Sequence, residues 1–317
     1  MSLAAWQVSG GPASRSYADV FLEYGVALVG PGDGGPWSRE RYAYDFSLQG
    51  FLGRFAEEMQ IGDALLLRTG LKTISAVGLV AGDYLYLEQF DDVNGWDLQH
   101  ARRVRWCPLP EEYTFAEPVF GGSPTRCSRV SQPEAVDFVE RFVNSPPTRW
   151  QTDPLPDLPP EEPPLSDVSA ALRGTVAQAA DLVPLFQDGG SFGDAPSEGE
   201  MVAHFVVPFL RALGWPPELI AVEWRHIDVA VFQSLPRTPG NLQLVIEAKR
   251  LGAGVEGALD QAADYMRALG VVCDVAVTDG VRYRVYDGRR NFAHVAYANL
   301  ARLKRPAAAL FERIQRG

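Results

Sequence analysis

The sequence is poor in cysteine, in basic charge and in long apolar runs. Its three cysteines, Cys107, Cys127 and Cys273, lie far apart and match no C-x-x-C spacing. That excludes a zinc knuckle and a disulfide framework and fits a reducing cytoplasm. Acidic residues outnumber basic ones 40 to 29, for a net charge of −11. A chain of this sign does not coat nucleic acid regardless of sequence, because backbone phosphates are held by Lys and Arg, so any such contact must be local. No stretch reaches about 18 uninterrupted apolar residues, and "MSLAAWQVSGGPASRSYADV" has no basic segment leading into an apolar one, so neither a membrane span nor secretion is expected. The glycine-rich "GPGDGGP" at 30–36 lacks the G-K-[ST] ending of a phosphate-cradling loop. It reads as a flexible loop, leaving no ATP site in this chain. His100, His204, His226 and His294 show no H-x-x-x-H spacing and no G-x-S-x-G context. Each reads as a surface or satisfied core histidine, with His226 close enough to Asp228 to border a site there.

What is present is the material of a folded protein: 46% hydrophobic residues and seven tryptophans in 317 residues, enough for two cores. Residues 146–165, "PPTRWQTDPLPDLPPEEPPL", are dense in proline, which removes backbone donors and favours extended chain. They read as a semi-rigid linker between domains at 1–145 and 166–317.

In the first domain "YGVALVG", "DALLLRT", "ISAVGLVAG", "YLYLEQF" and "RRVRWCP" are short β-rich runs between Gly, Asp and Asn turns. They predict a small barrel or strongly curved sheet. "LQGFLGRFAEEMQIGD" places Phe51, Phe55 and Met59 at helical spacing, predicting one helix against it. After the prolines, "SDVSAALRGTVAQAADLVPLF" predicts a helix with a Ser or Asp cap. "SEGEMVAHFVVPFLRALGW" repeats Met201, Phe205, Phe209 and Leu213 and stops at Gly214. Then follow strands near "IAVEW", "HIDVAVF" and "LQLVIEAK", a helix near "VEGALDQAADYMRALG", and strands "VVCDVAVTD" and "VRYRVYDG". That order, helix, three strands, helix, two strands, predicts a mixed α/β sheet. The closing "RLKRPAAALFERIQRG" is basic and amphipathic; it reads as a packing helix, with DNA or a second subunit as the alternatives.

The chemistry sits in "HIDVAVFQSLPRTPGNLQLVIEAKR". Asp228 interrupts an apolar strand, and Glu247 and Lys249, two apart, share a face of the next one. A hairpin could bring all three together. Carboxylates buried among Val and Ile are costly unless a cation or strong hydrogen bonds satisfy them. Hard oxygen ligands suit Mg²⁺ or Mn²⁺, held by Asp228, Glu247 and the Ala248 carbonyl, with Lys249 orienting the attacking water and stabilising the phosphate. Taken alone, D-x18-E-x-K is also the pattern of a surface ion pair.

In context the stretches "SEGEMVAHFVVPFLRALGW", "HIDVAVF…LVIEAKR" and "DQAADYMRALG" resemble the PD-(D/E)xK nuclease superfamily. The likeness is nearest to its branch containing the N-terminal nuclease domain of type I restriction subunits and Mrr-like enzymes, and it covers roughly residues 190 to 290. The resemblance implies a restriction-endonuclease-like mixed sheet with flanking helices. It further implies a supporting acid on the first helix, Glu198 with Glu200 as the competing choice, and Gln261 and Tyr265 facing the centre. The usual Pro before the first acid is replaced by His226-Ile227.

The N-terminal runs "YGVALVG", "MQIGDALLLRTG", "ISAVGLVAGDYLY" and "HARRVRWCP" look like PUA-like barrels of the EVE group. That likeness implies a pocket for a modified or flipped base, where aromatic faces stack on the base. Candidates are Trp37, Tyr84, Trp96 and Trp106, with Asp97 as edge reader; for each aromatic the alternative is barrel core. Arg102, Arg103 and Arg105 could grip phosphates, or form a solvated edge. The expectation is a Mg²⁺-dependent DNA endonuclease of restriction or phage-defence type, acting on DNA that carries modified bases, as a homodimer, since one centre cuts one strand. A non-cleaving sensor of nucleic acid or a nucleotide signal, or an RNA-directed nuclease, are the alternatives.

Overall fold

The computed structural model describes residues 4–32, 34–42, 46–121, 127–187, 196–255 and 257–316. The chain divides into two compact units, Met1–Pro160 and Glu161–Gly317, each built on its own mixed six-stranded sheet.

The first sheet comprises β1 (Ala5–Ser9), β2 (Val26–Val29), β3 (Ala64–Arg68), β4 (Thr73–Tyr86), β5 (His100–Thr114) and β6 (Ser128–Arg129), in the order β2-β5-β4-β3-β1-β6. Only β1 and β3 run parallel. β4 and β5 are long, and their register shifts between Ile74 and Ala76 and between Val80 and Tyr84. Extra residues on one strand bend and twist it, so the sheet curls. Among the described residues β2 and β6 form its two edges and do not pair, so of the expected barrel or strongly curved sheet it is the latter, an open half-barrel. The run "ISAVGLVAG" and the start of "YLYLEQF", Tyr84 to Tyr86, belong to one strand, β4, carried through the second bulge, and Glu88–Phe90 turn off it as a short 3-10 helix. Gly78 in β4 has a packing reason, because a Cβ there would lie 2.4 Å from the Val104 side chain and 2.7 Å from the Trp106 ring. Helices α1 (Ala18–Tyr24), α2 (Phe46–Gly53) with a π turn over Arg54–Glu58, and α3 (Pro133–Asn144) complete the unit. Phe51, Phe55 and Met59 are all buried as their spacing requires, but the helix stops at Met59, short of Gly62. The "GPGDGGP" loop is pinned rather than free. Its Gly32 and Gly35 carbonyls accept from Tyr86 and Tyr42, and its Pro31 carbonyl lies 3.0 Å from His100 Nε2.

The proline-rich stretch divides between the two units. Gln151 N donates to the Trp106 carbonyl and Gln151 Nε2 to that of Leu22, while Leu158 packs on the first core. Pro163 accepts from Arg305 N, and Leu165 N donates to Leu303.

The second sheet is a succession of β7 (Ile220–Trp224), β8 (Ile227–Phe232), β9 (Leu242–Ala248), β10 (Asp274–Thr278), β11 (Arg282–Asp287) and β12 (Ala293–Asn299), each beside the next. All pairs are antiparallel except β9 with β10, which helix α7 (Ala258–Leu269) connects. A parallel pair needs such a crossover. Around the sheet lie α4 (Ala170–Gln187), α5 (Glu198–Met201) continuing through a π turn over Val202–Val206 into α6 (Val207–Ala212), and α8 (Ala307–Ile314). α4 begins later than the Ser or Asp of "SDV", with Ser169 Oγ accepting from Leu172 N. Met201, Phe205 and Phe209 are fully buried and Gly214 takes φ 90°, closing the helix as their repeat implies. α8 is a packing helix: Leu310 and Ile314 are buried, and the Ile314 carbonyl accepts from Trp215 Nε1. All three cysteines are buried and free. Among the described residues no helix is long and apolar enough to cross a membrane.

Candidate functional site

The hairpin β8–β9 has the register that the charges require. Val229 pairs with Ile246, which sets the two acid-bearing positions side by side at one end of the sheet. Asp228 Oδ2 accepts the Ala248 N–H at 2.7 Å. Glu247 is fully buried, and its Oε1 accepts from Lys249 Nζ at 2.9 Å. Its other oxygen, Oε2, is buried with no hydrogen-bond partner among the described residues. A buried carboxylate oxygen left without a donor is costly, and native proteins seldom keep one without use. Burial pushes the Glu247 carboxyl above the usual glutamate range; the Lys249 hydrogen bond opposes this, and the charges of Asp228 and Glu198 add to it. For Lys249, burial works against the charged form, but the Glu247 hydrogen bond and the surrounding carboxylates outweigh it and raise its pKa.

The two candidate helix acids separate by geometry. Ser197 caps α5 in a capping box: Glu200 N donates to Ser197 Oγ, while the Glu200 carboxylate accepts from Ser197 N at 2.7 Å. That hydrogen bond holds the Glu200 carboxyl below the usual range. Glu198 faces the cluster instead, 3.9 Å from Lys249 Nζ. From α7, Gln261 Oε1 lies 3.4 Å from the same ammonium, and Gln261 Nε2 donates to Tyr265 OH at 3.0 Å. Asp228, Glu247, Lys249, Glu198, Gln261 and Tyr265 therefore form one connected cluster. Residues four apart share a helix face, which is why α7 can supply two of them.

One contributor escaped the sequence reading. Asp279, fully buried just after β10, accepts from the backbone of Gly252, Val281 and Arg282, tying the loop after Lys249 to the β10–β11 turn. The T-D-G text at 278–280 is the turn signal that could have found it.

The first unit distributes its candidates differently. Trp106 is core: its ring is buried and stacked on Phe21, and its Nε1 donates to Val26. Trp96 is nearly buried, donates to the Arg15 carbonyl and has the Arg15 guanidinium 3.7 Å above its ring. Asp97 is fully buried. Trp37 and Tyr84 do come together and stay partly exposed. Trp37 N donates to Tyr84 OH, Trp37 stacks on Tyr42, and its Nε1 reaches Glu57. Tyr84 OH also contacts Nδ1 of the buried His100 at 2.7 Å, and burial pushes the Tyr84 hydroxyl up to about 12. His100 is a satisfied core histidine between Tyr42 and Tyr84.

The three arginines expected as a phosphate grip or a solvated edge all find partners within the first unit. Arg102 is buried and donates to the carbonyls of Phe55, Ala56, Met59 and Gly82, closing the end of the α2 helix. Arg103 donates to Pro156, and Arg105 pairs with Asp153. Sequence alone could not show these carbonyls, which come from segments some 20 to 50 residues away.

Fold and cluster define an α/β protein with a carboxylate–lysine centre at one end of its second sheet. A family model described as "Domain of unknown function (DUF8426)" matches residues 6–118, within the first unit and short of half the chain. No curated protein and no solved structure matches the chain.

Proposed function

We propose that the second unit is a metal-dependent nuclease of the PD-(D/E)xK type, cutting DNA in a restriction or defence role. One observation carries this reading: Glu247 is buried beside Asp228 and Lys249, with Oε2 unpartnered among the described residues. An orphaned carboxylate oxygen next to a second carboxylate fits a Mg²⁺ or Mn²⁺ ion. Asp228, Glu247 and the Ala248 carbonyl would hold it. When bound, the ion would lower the pKa of water and offset charge on a phosphate. The chain's own groups do the rest. Lys249 carries the positive charge facing the phosphate. Gln261, itself held by Tyr265, and Glu198 fix where that ammonium points, which matters because misplacement of about 1 Å can cost two orders of magnitude in rate. The order α5–α6, β7–β8–β9, α7, β10 supports the same reading, since it is the helix, three strands, helix, strand succession the resemblance implies.

The first unit is the proposed recognition module for DNA carrying a modified base, with Trp37 and Tyr84 as its candidate stacking faces. Cutting both strands takes either two centres, in a homodimer, or two successive events at one centre; the homodimer is the proposed form, which light scattering on DNA tests. A non-cleaving sensor is the second reading. It is favoured by one finding: among the described residues, no group of three or more His, Cys, Asp or Glu is placed to hold a metal ion.

The test is cleavage of modified and unmodified phage DNA, and of matched RNA, with Mg²⁺ or Mn²⁺. Wild type should cut DNA, and Lys249→Ala should lose about 100-fold or more, as when a charge-stabilising donor is removed. Binding without cutting by wild type would favour the sensor; cutting of RNA alone would make the enzyme a ribonuclease.

A further inference from the structure

The turn joining β7 to β8 carries more strain than its sequence needs. Trp224 pairs with Ile227 across the two-residue turn Arg225-His226, and both turn residues take positive φ, 52° and 71°. Glu223, two positions earlier, also lies at φ 52°. Turns with two positive-φ residues match the twist of a hairpin, but Asn-Gly or Gly-Gly are their usual occupants. Side chains in this backbone region are unfavourable, and they persist where the surroundings hold them and the position has a use.

The use follows from what the turn presents and where. Asp228 is the second residue of β8, so the turn stands at the end of the sheet that holds Glu247 and Lys249. Arg225 is exposed, with its guanidinium laid over the Trp224 ring, 4.8 Å from the centroid. Trp224 is half-buried and braced edge-on against the buried Phe232, 5.1 Å between centroids. Among the described residues Arg225 makes no ion pair, whereas Lys249, whose ammonium lies inside the cluster, is taken up by Glu247. A flexible side chain is thus parked on a rigid aromatic support with its charge unspent. Stacking leaves the forked N–H edge of a guanidinium open to a phosphate.

A polyanion approaching this end of the sheet meets Asp228, Glu247 and Glu198 on a chain whose net charge is −11. A cation held outside the carboxylate cluster would offset that repulsion. We propose that Arg225, braced on Trp224 in the strained β7–β8 turn, clamps a nucleic-acid phosphate next to the carboxylate–lysine centre and positions the strand for cutting. This rests on the nuclease reading and adds a substrate-binding residue to it.

The experiment uses the full chain and the nucleic acid that wild type cuts best, fluorescently labelled. Binding is measured over a salt series with Ca²⁺ replacing Mg²⁺, and cleavage kinetics with Mg²⁺. Arg225→Ala should weaken binding about 5- to 20-fold and lower the salt slope by about one phosphate contact, raising KM with kcat nearly unchanged. Arg225→Lys should restore the slope but only part of the affinity, because an ammonium lacks the planar fork. Thermal melting at the wild-type temperature shows that each variant folds. If Arg225→Ala binds with wild-type affinity and slope while Lys249→Ala abolishes cutting, the clamp is wrong and the nuclease reading stands. If wild type neither binds nor cuts any nucleic acid, both are overturned.

Discussion

Each unit buries charge on a central strand, and the two treat it in opposite ways. Arg102 on β5 is nearly inaccessible, yet its guanidinium meets four backbone carbonyls that the end of a helix and a bulged strand leave open. Glu247 on β9 is equally inaccessible, with one oxygen held by Lys249 and the other by none of the described residues. A buried charge whose capacity is filled by the protein's own backbone is architecture. A buried charge left short of partners, with a second carboxylate beside it, is what the proposed cation site rests on. The same contrast separates Arg105, tied to Asp153, from Arg225, which pairs with no carboxylate among the described residues.

The contrast can be broken at its strongest point first. Arg102→Met should cost about 3 kcal/mol in urea unfolding, because several buried carbonyls lose their donor at once, and should leave the chemistry of the second unit intact. A loss below about 1 kcal/mol would mean that water replaces the guanidinium.

Glu247→Gln should act in the other direction. The folded-state pKa of Glu247 is raised, so ionised Glu247 destabilises the native state. That penalty is absent below the ordinary glutamate pKa, grows as pH rises toward the raised value, and is complete above it. Without divalent ions, Glu247→Gln should therefore be more stable than wild type by about 1 kcal/mol at neutral pH and should match it in acid. Parallel stability curves across pH would remove the electrostatic half of the contrast. Arg105→Ala should change stability by less than about 0.5 kcal/mol, since its ion pair with Asp153 is exposed.

The second unit was the more legible of the two, for a physical reason. Its site residues lie on strands and a helix whose periods of two and near four put them on shared faces, so Asp228, Glu247, Lys249, Gln261 and Tyr265 could be grouped from spacing and resemblance. Choosing Glu198 over Glu200 needed the structure, although the S-E-G-E text at 197–200 already spells a capping box that commits Glu200 to Ser197. In the first unit the long β4 looked like two strands, because Gly82 and Asp83 mimic a turn where the chain only bulges. The strand at Ala5–Ser9 and the helix at Pro133–Asn144 were not foreseen, being short or flanked by turn-forming text. The arginines of β5 looked free because their partners come from distant segments, which no local pattern records.

The most direct test of the account asks whether the open oxygen of Glu247 is there for a cation. Thermal melting of wild type and Glu247→Gln with increasing Mn²⁺ answers it without any substrate. A melting temperature that climbs by several degrees with Mn²⁺ in wild type and stays still in Glu247→Gln is the predicted result, because an ion bound only by the native state stabilises it by mass action. Equal shifts in both proteins, or none in either, would contradict it.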